Sequence, residues 1–328
     1  MSRHLRMPFA AALATAALLS APRPAAAEIS PADLTRPADS DELGPGYGRN
    51  EIQFHLDVGL YLGSAEDGVG YSEDRTVISP MLRIFQPVDF NEVEFAWGLS
   101  YLSVSGDAGD NSSFQFGNPF VAWYWAWRTL PQQFRLGLGV TGPLAQLRDE
   151  EPGETAIDLQ ALTLASYMRA RREPWLWWPE GLSGIGHVDY YRRYAFGLVV
   201  GGQAMAAAMY SLDDSPFADV LGHAGLNFAA EVDLDVAYDT RYVRSMLRAS
   251  YVTMPLLESD AEGVEFSYDD KDQIGVEVEI RVRLGGADVL ARFDVPIDEP
   301  GGFAFDDGKV YGAFIGVSSP TDLRLPDP

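Results

Sequence analysis

The segment EIQFHLDVGLYL, residues 51–62, decides the fold. Ile52, Phe54, Leu56, Val58, Leu60 and Leu62 alternate with Glu51, Gln53, His55, Asp57, Gly59 and Tyr61. Strict period 2 over this length is a strand signal. Strands of soluble sheets average about 5–6 residues, whereas a strand that crosses a bilayer needs about 9–11. The even-numbered side chains are apolar throughout, so that face is expected toward lipid and the other toward a lumen.

The pattern recurs along the chain. Val93, Phe95, Trp97, Leu99 and Tyr101 alternate with Glu92, Glu94 and small residues, and Leu226 to Val236 with Glu231, Asp233 and Asp235. Ile274 to Leu284 alternate with Glu277, Glu279, Arg281 and Arg283. Twelve strands are predicted, near 51–63, 76–87, 91–104, 114–128, 133–146, 188–200, 203–212, 220–238, 241–256, 273–284, 287–298 and 308–319. The connections between them alternate long and short, with 64–75, 105–113, 147–187, 213–219, 257–272 and 299–307 on the longer side. A closed antiparallel transmembrane β-barrel sorts its connections this way, with short periplasmic turns and long outer loops.

Three tight turns predict register. A turn at Asp239-Thr240 places Asp235 opposite Arg244 and Glu231 opposite Arg248. A turn at Gly285-Gly286 places Arg283 opposite Asp288 and Glu279 opposite Arg292, with Glu277 opposite Asp294. Opposite charges facing across a hairpin contribute roughly 0.2–1 kcal/mol each. A Gly201-Gly202 turn would point Ala195, Gly197, Ala204, Ala206 and Ala208 inward, beside Gly137 and Gly139. The expected lumen is lined by Asp57, Glu92, Glu94, Arg135, Glu231, Asp233, Asp235, Arg244, Arg248, Glu277, Glu279, Arg281, Arg283, Asp288 and Arg292. Trp97, Trp123, Trp125 and Trp127 form the expected lipid-facing aromatic band.

Residues 1–27 have a basic start, an apolar run and Ala25-Ala26-Ala27 before Glu28, the form of a cleaved export signal. Residues 28–50 read as a flexible periplasmic lead-in, 51–319 as the barrel and 320–328 as a tail. After residue 27 no apolar run is long enough for a spanning helix. The cell outer membrane of a Gram-negative bacterium is the expected location. The signal holds three arginines and no acid, so residues 28–328 carry 21 basic and 48 acidic residues, a net charge of −27. That balance excludes nucleic acid as a partner. The absence of cysteine excludes disulfides and thiolate metal sites.

The 147–187 connection holds a predicted helix near 156–172. Thr155 with Asp158 makes a weak capping box. Ile157, Ala161, Leu164 and Met168 share one helical face. Arg169, Arg171 and Arg172 suit its C-terminal end, Pro174 stops it, and Trp175, Trp177 and Trp178 follow. The sequence supports two placements, a plug inside the lumen or a helix on the rim. Inside, its arginines would meet Glu92, Glu94 or Asp233.

Catalytic and metal sites are not predicted. His55, His187 and His223 have no metal-ligand spacing, and no serine lies in G-x-S-x-G. Asp269, Asp270 and Asp272 lack the pattern of a calcium loop. No cofactor is expected.

Phe116-Gly117-Asn118-Pro119-Phe120-Val121-Ala122-Trp123-Tyr124, followed by Leu136-Gly137-Leu138-Gly139-Val140-Thr141-Gly142-Pro143, resembles a hairpin of the meta-pathway phenol-degradation type outer-membrane proteins. Those are similar to the fatty-acid transporter barrels. The resemblance covers about thirty residues. It implies a channel or passive transporter for small, often hydrophobic cargo, surrounded by outer-membrane lipid and placed there by the barrel-insertion machinery. The N-terminal Asn-Pro-Ala motif of the fatty-acid transporters is absent from this chain, and so is a terminal aromatic residue after the last strand. A structural or adhesive barrel with a sealed lumen is the alternative, and a lipid-active enzyme a third reading.

Overall fold

The computed structural model describes residues 52–66, 72–88, 91–106, 109–129, 131–148, 152–212, 225–240, 242–256, 271–284, 287–297 and 310–321. The signal, the lead-in and most of the acidic 257–272 connection lie outside the described residues.

Thirteen strands carry the wall: β1 (Ile52–Glu66), β2 (Ser72–Val88), β3 (Asn91–Gly106), β4 (Gly109–Phe116), β5 (Phe120–Thr129), β6 (Gln132–Thr141), β7 (Gly181–Arg193), β8 (Leu198–Ser211), β9 (Gly225–Asp239), β10 (Val243–Thr253), β11 (Asp272–Arg283), β12 (Asp288–Pro296) and β13 (Gly312–Thr321). β4 and β5 both pair with β3 and together make one wall strand, broken at Gly117-Asn118-Pro119. All pairings are antiparallel, and β1 pairs with both β2 and β13, so the sheet closes as a twelve-stranded barrel. Closure lets neighbouring strands satisfy one another's backbone groups, as a barrel in a bilayer must. Among the described residues no helix is long and apolar enough to cross a membrane.

The alternation sorts side chains as expected. Leu60, Leu62, Leu138, Val140, Leu234 and Ile315 point outward and are exposed. Val58 is on the same outward face, paired across the ladder with Pro80 and Ile315. Val58→Arg is expected to cost roughly 2–4 kcal/mol near the midplane. Urea unfolding in lipid vesicles measures this, and a cost near zero would contradict the membrane reading.

Several boundaries and registers differ from expectation. The 64–75 and 105–113 connections shrink because pairing runs out to Glu66↔Ser72 and Gly106↔Gly109. Gly201-Gly202 is not a turn. β7 and β8 pair straight through it, Tyr191↔Gly201, and the chain reverses at residues 194–197, where Phe196 and Gly197 have φ of 59° and 85°. Gly201 is needed for a different reason: a Cβ there would strike the Tyr191 ring. The new register reverses the faces, so Ala206 and Ala208 point outward while Met205, Ala207 and Met209 are buried inside. A one-residue change in pairing parity does this to every side chain of a strand.

The β9–β10 turn lies two residues beyond its expected position. Thr240 closes it, its hydroxyl and amide both engaging Val243. Arg244 therefore faces Asp239, and Arg248 faces Asp235, in place of the expected Asp235–Arg244 and Glu231–Arg248 pairs. The shift is even, so the faces are unchanged. The β11–β12 register agrees with expectation: Arg283↔Asp288, Glu279↔Arg292 and Glu277↔Asp294.

Candidate channel lumen

The long β6–β7 connection folds into the barrel from the long-loop end. Its helix, α1 (Pro152–Tyr167), begins at Pro152, a residue suited to a first helical turn. Thr155 is not the cap: its hydroxyl donates to Arg148 O at 2.6 Å. Asp158 is instead a receptor, taking Ser113 Oγ at 2.6 Å and the Arg148 guanidinium at 2.7 Å. Ile157, Ala161, Leu164 and Met168 pack on Val77, Leu102, Val104 and Phe314 of the wall. Leu159, Leu162 and Ala165, on the other side of α1, are buried as well. A helix that is apolar on both sides belongs inside, not on a rim.

After α1 the chain crosses the lumen. Met168 lies over Gly312, Ala170 over Gly275, Trp177 over Gly98 and Leu176 over Gly117, and a Cβ on any of these four glycines would overlap the plug; at Gly59 it would meet the Phe314 ring of the wall first. Gly137 and Gly139, expected to leave room for the helix, are covered instead by the rings of Tyr124 and Phe120. Trp175, Trp177 and Trp178 are buried within the barrel, not at an interface. Ala170, Arg171 and Glu173 adopt left-handed backbone, with φ of 52°, 58° and 52°. Such residues cost of order 1–3 kcal/mol each and persist only where their surroundings hold them.

Two sets of contacts hold this segment. The first is the wall break. Asn118 is fully buried; its backbone N–H donates to Leu176 O at 2.7 Å and its Nδ2 to Trp175 O and Trp178 O at 3.1 and 2.6 Å. Its Oδ1 accepts from Leu144 N and Ala145 N at 3.0 and 2.9 Å. One side chain thus clasps both ends of the plug.

The second set is ionic. Arg169 reaches Asp57 at 3.0 Å and Ser79 O at 3.0 Å. Arg172 pairs with Glu277, and with Asp294 at 3.1 Å. Arg292 of the wall joins Asp57 and Asp294, both at 3.3 Å. Arg248 holds Asp235 at 2.6 Å and lies 3.7 Å from Asp233 and 3.8 Å from Glu277. Glu173 pairs with Arg83, and its amide donates to Glu231 at 2.7 Å. The plug arginines therefore meet Asp57, Glu277 and Asp294 rather than Glu92, Glu94 or Asp233. Glu92 is occupied by Arg135 at 2.6 Å, and Glu94 by Arg83 at 2.8 Å and the Tyr124 hydroxyl at 2.7 Å.

The remaining expected lumen residues also lie on the inward face. Arg135 is buried between Glu92 and Asp189. Arg281 pairs with Glu279 at 3.1 Å, Arg283 with Asp239 at 2.8 Å and with Asp288 at 4.0 Å, and Arg244 is buried opposite Asp239. Of the expected aromatic band, Trp123, Trp125 and Trp127 are exposed on the outer face, and Trp97 stacks on Phe116 with its indole N–H on Gly117 O.

Beneath the plug tip a cavity of about 140 Å³ occupies the short-turn half of the lumen. Its roof is Arg169, Arg172 and Glu173. Its lining mixes apolar and charged side chains: Met81, Phe85, Phe120, Tyr124 and Met205 stand beside Arg83, Glu94 and Arg135 on one arc, and Glu231, Arg248, Glu277, Glu279, Arg281 and Arg292 beside Met246 and Leu290 on the other. His187 was not expected here. Its ring nitrogens meet the Tyr124 hydroxyl at 3.1 Å and Asp189 at 3.3 Å.

Burial pushes the Glu173 carboxyl up, but Arg83, aided by Arg172 and Arg169, holds it below the usual carboxylate range. A lowered folded value means its contribution to docking is complete above the ordinary value of 4.5 and is lost as pH falls through the lower one. The Glu173–Arg83 contact is therefore expected to hold its part of the tip from neutral pH down to 4.5 and to weaken only below it. Bilayer current against pH, compared between the parent and Glu173→Gln, checks this; a difference between the two that vanishes already above 4.5 would contradict it.

No protein-family model and no curated protein sequence matches the chain. Solved structures do. An outer-membrane channel from Pseudomonas putida F1 superposes with a TM-score of 0.53 at 11% identity, over 86% of this chain and 98% of that one. The NanC porin gives 0.48 at 10% identity, over 82% and 100%. The toluene transporter TodX from Pseudomonas putida gives 0.40 at 12% identity, over 88% and 93%. At these identities the likeness is one of fold, and it agrees with the outer-membrane barrel that the sequence resemblance implied.

Proposed function

We propose that this chain is an outer-membrane channel or passive transporter for small molecules, hydrophobic compounds among them, closed at rest by its own β6–β7 connection. The observation that carries this reading is the amphipathic cavity directly under the plug tip, within a closed barrel. A lumen meant only to brace a barrel has no use for a cavity lined by aromatic rings and charged side chains together. The export signal, the outward apolar face and the aromatic band support a Gram-negative outer-membrane location, with lipid around the barrel and the insertion machinery as its route there. The fold likeness to an outer-membrane channel points the same way.

The sealed structural barrel draws on one observation, the packed core that α1 and the tryptophans form in the long-loop half. The enzyme reading has less: His187 stands beside Asp189, but mid-wall and against a tyrosine. Reconstitution of the purified protein in planar bilayers separates these. Discrete current steps, or uptake of small aromatic solutes into proteoliposomes, support the channel. A folded protein that passes neither, both with the β6–β7 connection in place and with it removed, contradicts it.

A further inference from the structure

The ionic contacts around the plug tip form one connected network. It contains five carboxylates, those of Asp57, Asp233, Asp235, Glu277 and Asp294, all on the wall. They share four arginines, of which Arg248 and Arg292 belong to the wall and Arg169 and Arg172 to the plug. With the tip seated, the network is one positive charge short of balance. With the tip withdrawn, five carboxylates face two arginines, while Glu173 leaves with the tip and Arg83 keeps only Glu94. Burying that imbalance is expensive unless another cation takes the vacated place. Two oxygens mark the demand independently: Asp233 Oδ1 and Asp294 Oδ1, on side chains with no exposed surface, accept no hydrogen bond.

We propose that the open pore is cation-selective, and that Arg169 and Arg172 are built-in counter-ions whose place a permeating cation takes. The inference rests on the channel reading and names the class of its cargo by charge. Rings of acidic side chains select cations in other pores by the same electrostatics. Among the described residues no group of three carboxylates or imidazoles converges as a metal site needs. The cation this calls for is a monovalent or organic one in transit. The left-handed residues at 170, 171 and 173 suit a tip held by these charges rather than by its own backbone preference.

The test uses the full-length protein in planar bilayers under a potassium chloride gradient. The double variant R169Q/R172Q, which removes the counter-ions but keeps the side-chain bulk, is expected to show several-fold larger conductance than the parent. Its reversal potential should be displaced toward the potassium equilibrium value. Adding D57N and E277Q should bring the reversal potential back toward zero. A purely structural role for these acids would change stability and leave the reversal potential alone. Current without cation preference, or a preference unmoved by D57N and E277Q, overturns the inference and leaves the channel reading standing. Folded protein with no current in any variant overturns both.

Discussion

Asn118→Ala is expected to unseat the plug while leaving the barrel closed. The amide side chain is the shared partner of Leu144 N, Ala145 N, Trp175 O and Trp178 O. Alanine fills none of these roles, and each buried backbone group left without a partner costs about 1–3 kcal/mol. Some will be rehydrated as the plug moves, so a net loss of about 3–5 kcal/mol in plug docking is expected. The wall does not depend on the same bonds, because β3 continues to pair with β4 and β5 on either side of the break. Trypsin should then cut at Arg169, Arg171 or Arg172, which are buried in the parent. The barrel should keep its heat-dependent mobility in detergent gels. Unchanged resistance to trypsin would mean that Asn118 is not the clasp.

Arg172→Ala is the second large effect. Its guanidinium is the point where the plug meets both Glu277 and Asp294, two carboxylates with almost no exposed surface. Removing one partner of a buried ion pair typically costs about 3–5 kcal/mol. Arg292 still reaches Asp294 at 3.3 Å and Glu277 at 3.9 Å, which favours the lower end of that range. Combining Arg172→Ala with Asp294→Asn should cost less than the two single changes added together, since the second change removes the charge that the first strands. Urea unfolding of the four proteins measures the cycle. Strict additivity would show that the pair contributes nothing to docking.

Much of the barrel was legible in the sequence because its signal is local. Alternation over ten or more residues fixes which side chains face lipid, and the Gly285-Gly286 turn, supported by the Arg283–Asp288 pair, predicts one register correctly. The other turn dipeptides were less secure, and the opposite-charge pairs drawn from Asp239-Thr240 did not correct its register. Gly201-Gly202 has the composition of a tight turn, yet the glycine is there to admit the Tyr191 ring, a tertiary demand with no local trace. The true reversal uses Phe196 at positive φ, which composition does not announce. At Asp239-Thr240 the turn residue was right, but Thr240 initiates the turn rather than ending it.

The plug divides along the same line. The face of Ile157, Ala161, Leu164 and Met168 was visible from helical spacing. Leu159, Leu162 and Ala165 on the opposite side were also present, and that second apolar side was the available signal for a lumen over a rim. Pro119 inside an otherwise continuous strand pattern was the signal for a wall break. That Asn118 beside it clasps the plug could not be read, because its partners lie 26 to 60 residues away in the chain. The pairing of Arg169 and Arg172 with Asp57, Glu277 and Asp294 was equally hidden. It depends on how far the tip reaches into the barrel, which no strand pattern encodes.

Single-channel current through the intact protein, set beside current through a protein in which residues 152–173 are replaced by a short Gly-Ser linker, decides whether this connection closes a pore. Both proteins should fold as closed barrels with the strand content of the parent. The linker protein should conduct in large, long-lived steps where the intact protein is nearly silent. Equal currents from the two folded barrels would contradict the plug, and with it the reading of the lumen as a gated path.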